Sequence, residues 1–312
     1  MKPRLILLVL SVLSLVACGD GQADSKNQQA VDALIKKIKE NLVCVKGGSF
    51  QMGDFGQIDP KSDKLPYSVN QDDKYLHRVT LDDFYIQDRQ VTYSDFNVYA
   101  KSINEPAIEY NEQESQRNAS DLPAGVDWYK ANKYCQWLSK QTGKDYSLPT
   151  EAQWEYAARS RGRMMPYATD DGKLEPGKNY PTRSERMEVT PQSDAYSPFP
   201  VAEKYPPNPL GLYQMGLNGY EWVSDWYDKG YYEKSPEHNP KGPDSGTLKV
   251  RRGGATGESS LGLVTVIRNP YSPDLSLKVP EGADKDLDIF KKRKQSAKIN
   301  TFRCVIAGSS TN

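Results

Sequence analysis

The chain has 312 residues, enough for one large domain or two ordinary ones. Lys+Arg and Asp+Glu are both 41, so no net basic field exists to collect nucleic acid, and nucleic-acid binding is not expected. A mean hydropathy of −0.75, with 23 Gly and 21 Pro, excludes a multi-pass membrane protein and describes a loop-rich globular chain.

Lys2 and Arg4 precede an apolar run over residues 5–16, the length of a signal-peptide core and too short to span a bilayer. The run ends Leu15-Val16-Ala17-Cys18, which resembles the bacterial lipobox. Residues 1–17 are therefore expected to be a lipoprotein signal peptide, with Cys18 lipidated as the mature N-terminus. Cleavage would remove Lys2 and Arg4 and leave a net charge of −2. Several acyl chains would hold the chain on the membrane, where a single chain binds only marginally. Gly19 stands after the cysteine, where an Asp would favour inner-membrane retention. The expected location is the bacterial cell envelope, at the outer membrane facing the periplasm. Residues 18–29, small and polar after the cysteine (GDGQADSKNQQ), read as a flexible tether.

Residues 30–42 place Val31, Leu34, Ile35, Ile38 and Leu42 on one face, so the spacing predicts an amphipathic helix. Residues 79–86 (VTLDDFYI) have the alternation of a strand. Residues 127–142 form the clearest helical pattern, and 151–159 a second, with Thr150 placed as its N-cap and Pro149 closing the preceding strand. Beyond residue 160 nothing is long and periodic. One irregular α+β domain over 43–312 accounts for the pattern.

Seven segments together resemble one known family. They are GGSFQMG at 47–53, FYIQDRQVT at 84–92, WYKANKYCQWL at 128–138, YSLPTEAQWEYAAR at 146–159, NPLGLYQMGLNGYEWVSDW at 208–226, Arg252-Gly253-Gly254, and Phe302-Arg303-Cys304. They resemble the formylglycine-generating enzyme (sulfatase-modifying factor) family over about residues 43–307. The resemblance implies a C-type-lectin-like α+β fold with little regular secondary structure. Twenty Tyr and five Trp suit such a core, because large rings with polar edges fill space without long helices.

The family's oxidases hold copper with two nearby thiolates after the Arg-Gly-Gly segment. Counting back from Arg268 puts Ser260 and Thr265 in those places, and cysteines occur only at 18, 44, 135 and 304. A neutral hydroxyl does not replace a thiolate toward Cu(I), so neither copper nor iron is expected. The resemblance further implies a disulfide between Cys135 and Cys304, which an envelope location permits. Cys44, in the apolar run 42–45, reads as a small buried hydrophobe, with an intermolecular bridge as the alternative.

A family calcium loop falls on Gln214, Leu217 (carbonyl), Gly219 (carbonyl) and Glu221, with a neutral glutamine first. A second would lie around Asn179 and Tyr180. Calcium is thus the one cofactor the resemblance leaves in play, and the other reading of Glu221 is a buried carboxylate paired with an arginine such as Arg252. Further departures are Gln90 for the usual Glu, Ser147 for Arg, Gln153 for Glu and Leu217 for Gly. Two basic stretches, 159–186 and 277–298, stand outside this pattern. The second carries Lys291, Lys292, Arg293 and Lys294, a surface for an acidic protein partner or a solvated loop.

The expectation is a non-catalytic, envelope-anchored lipoprotein that binds a protein partner, for example a secretion-system regulator or an immunity protein against a toxin. The alternative is a metal-dependent oxidase of the same superfamily acting on a peptide or peptide-derived substrate. His77, His238, Glu221 and Asp225 form no metal spacing for it.

Overall fold

The computed structural model describes residues 20–108, 119–185, 204–255, 259–275 and 298–308. Cys18 and the cluster Lys291, Lys292, Arg293 and Lys294 lie outside the described residues. Among those described, no helix is long and apolar enough to cross a membrane.

The chain opens with helix α1, Asp20–Glu40. Val31, Leu34 and Ile38 are its buried face, as the spacing requires, but the helix begins ten residues earlier than residue 30. The segment expected as a flexible tether is thus helical from Asp20 onward. Once the packed half has nucleated the helix, the Gln, Ala, Lys and Ser residues before it extend the ladder at small cost. Leu42 is not in the helix and opens strand β1, Leu42–Val45. Strand β2, Gly48–Met52, follows.

Residues 79–86 do not form one strand. They split into β3, His77–Leu81, and β4, Phe84–Gln87, which belong to different sheets. Asp82 and Asp83 make the break: Asp83 accepts the Gly47 N–H at 2.8 Å and Asp82 the Asn239 amide at 2.8 Å. The buried alternation changes phase across that turn, from Val79 and Leu81 to Phe84 and Ile86, so a single period-two run does not describe both strands.

Helices α2, Tyr93–Ser102, and α3, Trp128–Thr142, are capped by Thr92 and Asp127, and Gly143 closes α3 in the left-handed region. After β5, Tyr146–Ser147, helix α4, Glu151–Ala158, starts on a full capping box between Thr150 and Gln153. Gln153 therefore keeps the box that a glutamate makes elsewhere. The remaining strands are β6, Tyr220–Trp226; β7, Lys249–Arg252; β8, Arg268–Tyr271; β9, Asn300–Thr301; and β10, Val305–Ala307.

One sheet runs β1-β4-β10-β5, a second pairs β2 with β3, and a third runs β8-β7-β6-β9, with β9 parallel to β6. One core lies among α1, α2 and α3 and includes Trp222, Phe302 and a disulfide between Cys135 and Cys304. A second packs α4 against the strands around Trp154, Ile86 and Val250.

Cys44 departs from expectation: it is exposed, not buried. β1 is an edge strand, and its alternation turns Val43 and Val45 toward the second core while Cys44 points outward beside Tyr85.

Candidate functional site

A frame of fully buried ion pairs underlies the face where the sequence places its candidate ligands. α4 contributes Glu151 and Glu155, β7 Arg252, β8 Arg268, and the chain end Arg303. Arg252 donates to Glu151 at 3.1 Å and to Glu155 at 2.5 Å. Arg268 donates to both oxygens of Glu151, at 2.8 and 3.1 Å, and Arg159 to Glu155 at 2.7 Å. Burial alone would raise the Glu151 carboxyl, but the Arg268 and Arg252 guanidinium groups outweigh it and hold it below the ordinary range. Asp225, whose carboxylate accepts the Glu151 N–H at 2.8 Å, has no guanidinium of its own. Burial, then the Glu151 charge, pushes it up to about 7.

Arg252 joins this frame to the candidate ligand strip. Its second nitrogen donates to the Thr265 carbonyl at 2.8 Å and its first to Val266 at 3.2 Å. Thr265 is buried, and its hydroxyl donates to the Met165 carbonyl at 2.9 Å. Ser260 is exposed and opens a short 3-10 turn, Ser260–Leu263. Among the described residues the only free cysteine is Cys44, on β1. The strip therefore offers one hydroxyl to solvent and one to a carbonyl, and the donor set does not fit a Cu(I) ion.

Leu263 of the same strip packs on Tyr180 and Leu217. Those two, with Asn179, Pro181, Tyr205, Gln214 and Asn218, line a small pocket whose lining carries no charge. Beside it Gln90, buried, donates to the Asn218 carbonyl at 3.2 Å and the Thr301 hydroxyl at 3.0 Å, and its own amide oxygen has no partner among the described residues. Gly253, with φ of 74°, lies flat on Gly216; a Cβ there would meet the Gly216 Cα at 2.3 Å, so this close approach needs glycine.

The four positions of the proposed calcium loop fare differently. Glu221 is fully buried, and Arg303 donates to both its oxygens, at 2.8 and 2.9 Å, while the Trp154 indole donates at 3.0 Å. Its arginine partner is thus Arg303, and Arg252 goes to Glu151 and Glu155. The Gln214 amide oxygen accepts from Asn218 at 3.0 Å. Leu217 is buried in the small apolar cluster, and the Gly219 N–H donates to Gly254. With its one carboxylate neutralised by a guanidinium, the set fits a hard dication poorly. Asn179 is likewise engaged, donating to Asp170 at 2.9 Å and accepting from the Glu175 N–H at 2.8 Å.

The two histidines sit in unlike settings. His77 lies against the Tyr232 ring at 4.6 Å, and burial lowers its pKa, whereas His238 is exposed beside Asp82. In the first basic stretch, Arg159 is a frame residue rather than a surface cation, and Lys178 pairs with Glu175 at 2.5 Å. The sequence reading missed the buried carboxylates Asp54, Asp59 and Asp73. Asp54 and Asp59 precede turns and Asp73 ends one, and Asp54-Phe55-Gly56 was the available signal.

Comparisons with known proteins agree with this architecture. The family described as Sulfatase-modifying factor enzyme 1-like domain matches residues 28–276. A Chlamydia pneumoniae protein named serine/threonine-protein kinase pkn1 is 30% identical over 236 residues, which is 70% of this chain and 33% of that protein. The chain thus spans about a third of the length of that relative. The formylglycine-generating enzyme of Streptomyces coelicolor is 28% identical over 261 residues, covering 68% of this chain and 77% of the enzyme. Among solved structures, PvdO from Pseudomonas aeruginosa superposes with a TM-score of 0.59 at 24% identity, over 86% of this chain and 94% of that one, a likeness of fold. The chain belongs to the sulfatase-modifying factor enzyme 1-like family.

Proposed function

We propose that this member of the family is a non-catalytic lipoprotein of the bacterial envelope, anchored through Cys18 and facing the periplasm, that binds a protein partner. The observation that carries the non-catalytic part is the strip 260–265. The resemblance assigns Ser260 and Thr265 to the places of the copper thiolates, and the Thr265 hydroxyl is committed to the Met165 carbonyl. The frame beneath is complete, so the fold is kept without the thiolate chemistry. That the chain matches a third of a protein named as a kinase is compatible with a role other than oxidation. The lipobox-like Leu15-Val16-Ala17-Cys18 supports the anchor, and a secretion-system regulator or an immunity protein would suit that address.

The test is elemental analysis of the chain from residue 19 after incubation with copper, iron and calcium followed by dialysis. The expected result is neither copper nor iron retained. About one equivalent of either would overturn the non-catalytic reading and point to the oxidase alternative. Retained calcium would restore the loop around Glu221 as a cation site.

A further inference from the structure

Residues 54–73 form a closed loop whose ends meet, the Asp54 N–H donating to the Asp73 carbonyl at 2.6 Å. Three buried carboxylates hold it from inside. Asp54 accepts the N–H groups of Gly56, Tyr67 and Ser68 at 2.9, 3.0 and 2.7 Å. Asp59 accepts the Lys61 N–H at 2.9 Å and the Tyr67 hydroxyl at 2.7 Å. Asp73 accepts the Ser68 hydroxyl at 2.6 Å and, across to β8, the Arg268 N–H at 3.1 Å. The Phe55 ring anchors the loop on Val264 and Val266, beside the candidate ligand strip.

Such a loop is braced from inside, because the N–H groups of Gly56, Lys61, Tyr67 and Ser68 are bonded to its own carboxylates. Yet it presents aliphatic side chains outward: Ile58 is 47% exposed, Leu65 65% and Val69 78%. None contributes to a core cluster. Loops with this much exposed apolar surface ordinarily gain nothing in a monomer, and holding them rigid lowers the entropy cost of binding. Charge narrows the partner. Asp54, Asp59 and Asp73 are turned inward, and Asp72 accepts the Tyr227 hydroxyl at 2.7 Å. The exposed charges are Lys61 and Lys64 against Asp63, and neither lysine makes an ion pair among the described residues.

We infer that loop 54–73 is a preorganised recognition loop. Its Ile58, Leu65 and Val69 enter an apolar groove of a protein partner whose rim is acidic opposite Lys61 and Lys64. The inference rests on the binding-protein reading and names its surface. Short aliphatic side chains fit a groove, whereas a membrane interface selects Trp and Tyr at such a tip.

The test uses the full chain in its own envelope, with a benzoylphenylalanine photocrosslinker at Leu65, Val69, Leu261 or, as a control, Lys36 on α1. The expected result is one discrete protein adduct from Leu65 and Val69 and none from Lys36. The protein identified by mass from that adduct, purified, should bind the wild-type chain. Leu65→Asp with Val69→Asp should weaken that binding at least tenfold with an unchanged melting temperature, and Lys61→Glu with Lys64→Glu should reverse its salt dependence. Unchanged affinity in the Asp variant would overturn the inference. So would adducts to lipid with binding to phosphatidylethanolamine–phosphatidylglycerol vesicles, which would make the loop a membrane contact. A protein adduct from Leu261 alone would retain the binding-protein reading and reject this loop. No protein adduct from any position would reject both.

Discussion

The frame of Glu151, Glu155, Glu221 and their arginines is joined to the strip 260–265 by Arg252, and the two differ in how their polar groups are engaged. In the frame every carboxylate has a guanidinium within hydrogen-bond distance, and every one of these groups is buried. In the strip Ser260 faces solvent and the Thr265 hydroxyl donates to a carbonyl. A buried charge that loses its partner destabilises the whole domain, so the frame tolerates no drift. An exposed hydroxyl such as that of Ser260 can change at little cost to the fold.

That contrast breaks most sharply at the frame. Arg252→Met would leave Glu151 and Glu155 each short of a partner and free the Thr265 and Val266 carbonyls. A loss of about 3–5 kcal/mol in urea unfolding is expected. A loss below about 1 kcal/mol would mean that Arg159 and Arg268 suffice. Next in size is the disulfide, whose cysteines are 169 residues apart. Cys135→Ser or Cys304→Ser should cost about 2–5 kcal/mol with metal content unchanged. A bound metal stripped by either change would show that the pair serves a metal.

The pH dependence sharpens the comparison between the frame and the two buried aspartates beside it, Asp225 and Asp73. Asp225 and Asp73 are both pushed up to about 7, chiefly by burial, so the native state binds protons that the unfolded chain has released. Stability contributed by these two groups is present below about pH 4 and falls as the pH rises toward 7. Glu151 has the opposite sign: its lowered pKa contributes stability above its ordinary range, and that is lost in acid. Asp225→Asn should therefore flatten the decline in melting temperature between pH 4 and 7, and an unaltered profile would remove Asp225 from the account. The smallest effects belong to the strip. Thr265→Val forfeits one buried hydrogen bond, about 1 kcal/mol. Ser260→Ala should stay within about 0.5 kcal/mol, and a larger loss there would show that the exposed serine has structural work.

Much of the fold was legible wherever a local rule acts alone. The cap at Asp127, the box at Thr150 and Gln153, and the buried face of Val31, Leu34 and Ile38 follow from spacing and side-chain chemistry. Composition misled at residues 18–29, because small polar residues suit a tether and an extended helix equally. The pairing of Cys135 with Cys304 came from resemblance alone.

The sequence by itself determined the family motifs, the lack of two neighbouring cysteines, and the helices whose apolar period and caps agree. Only the tertiary structure decided that Glu221 belongs to Arg303, that Arg252 holds both the frame and the strip, and that Cys44 faces outward. It also decided that three aspartates fold inward to hold an apolar loop open to solvent. The reason is physical. Caps and helix faces depend on neighbours three or four residues away, whereas the partners of Glu221 and Arg252 are chosen by packing across 80 residues or more; of the frame pairs only Arg159 with Glu155 is local.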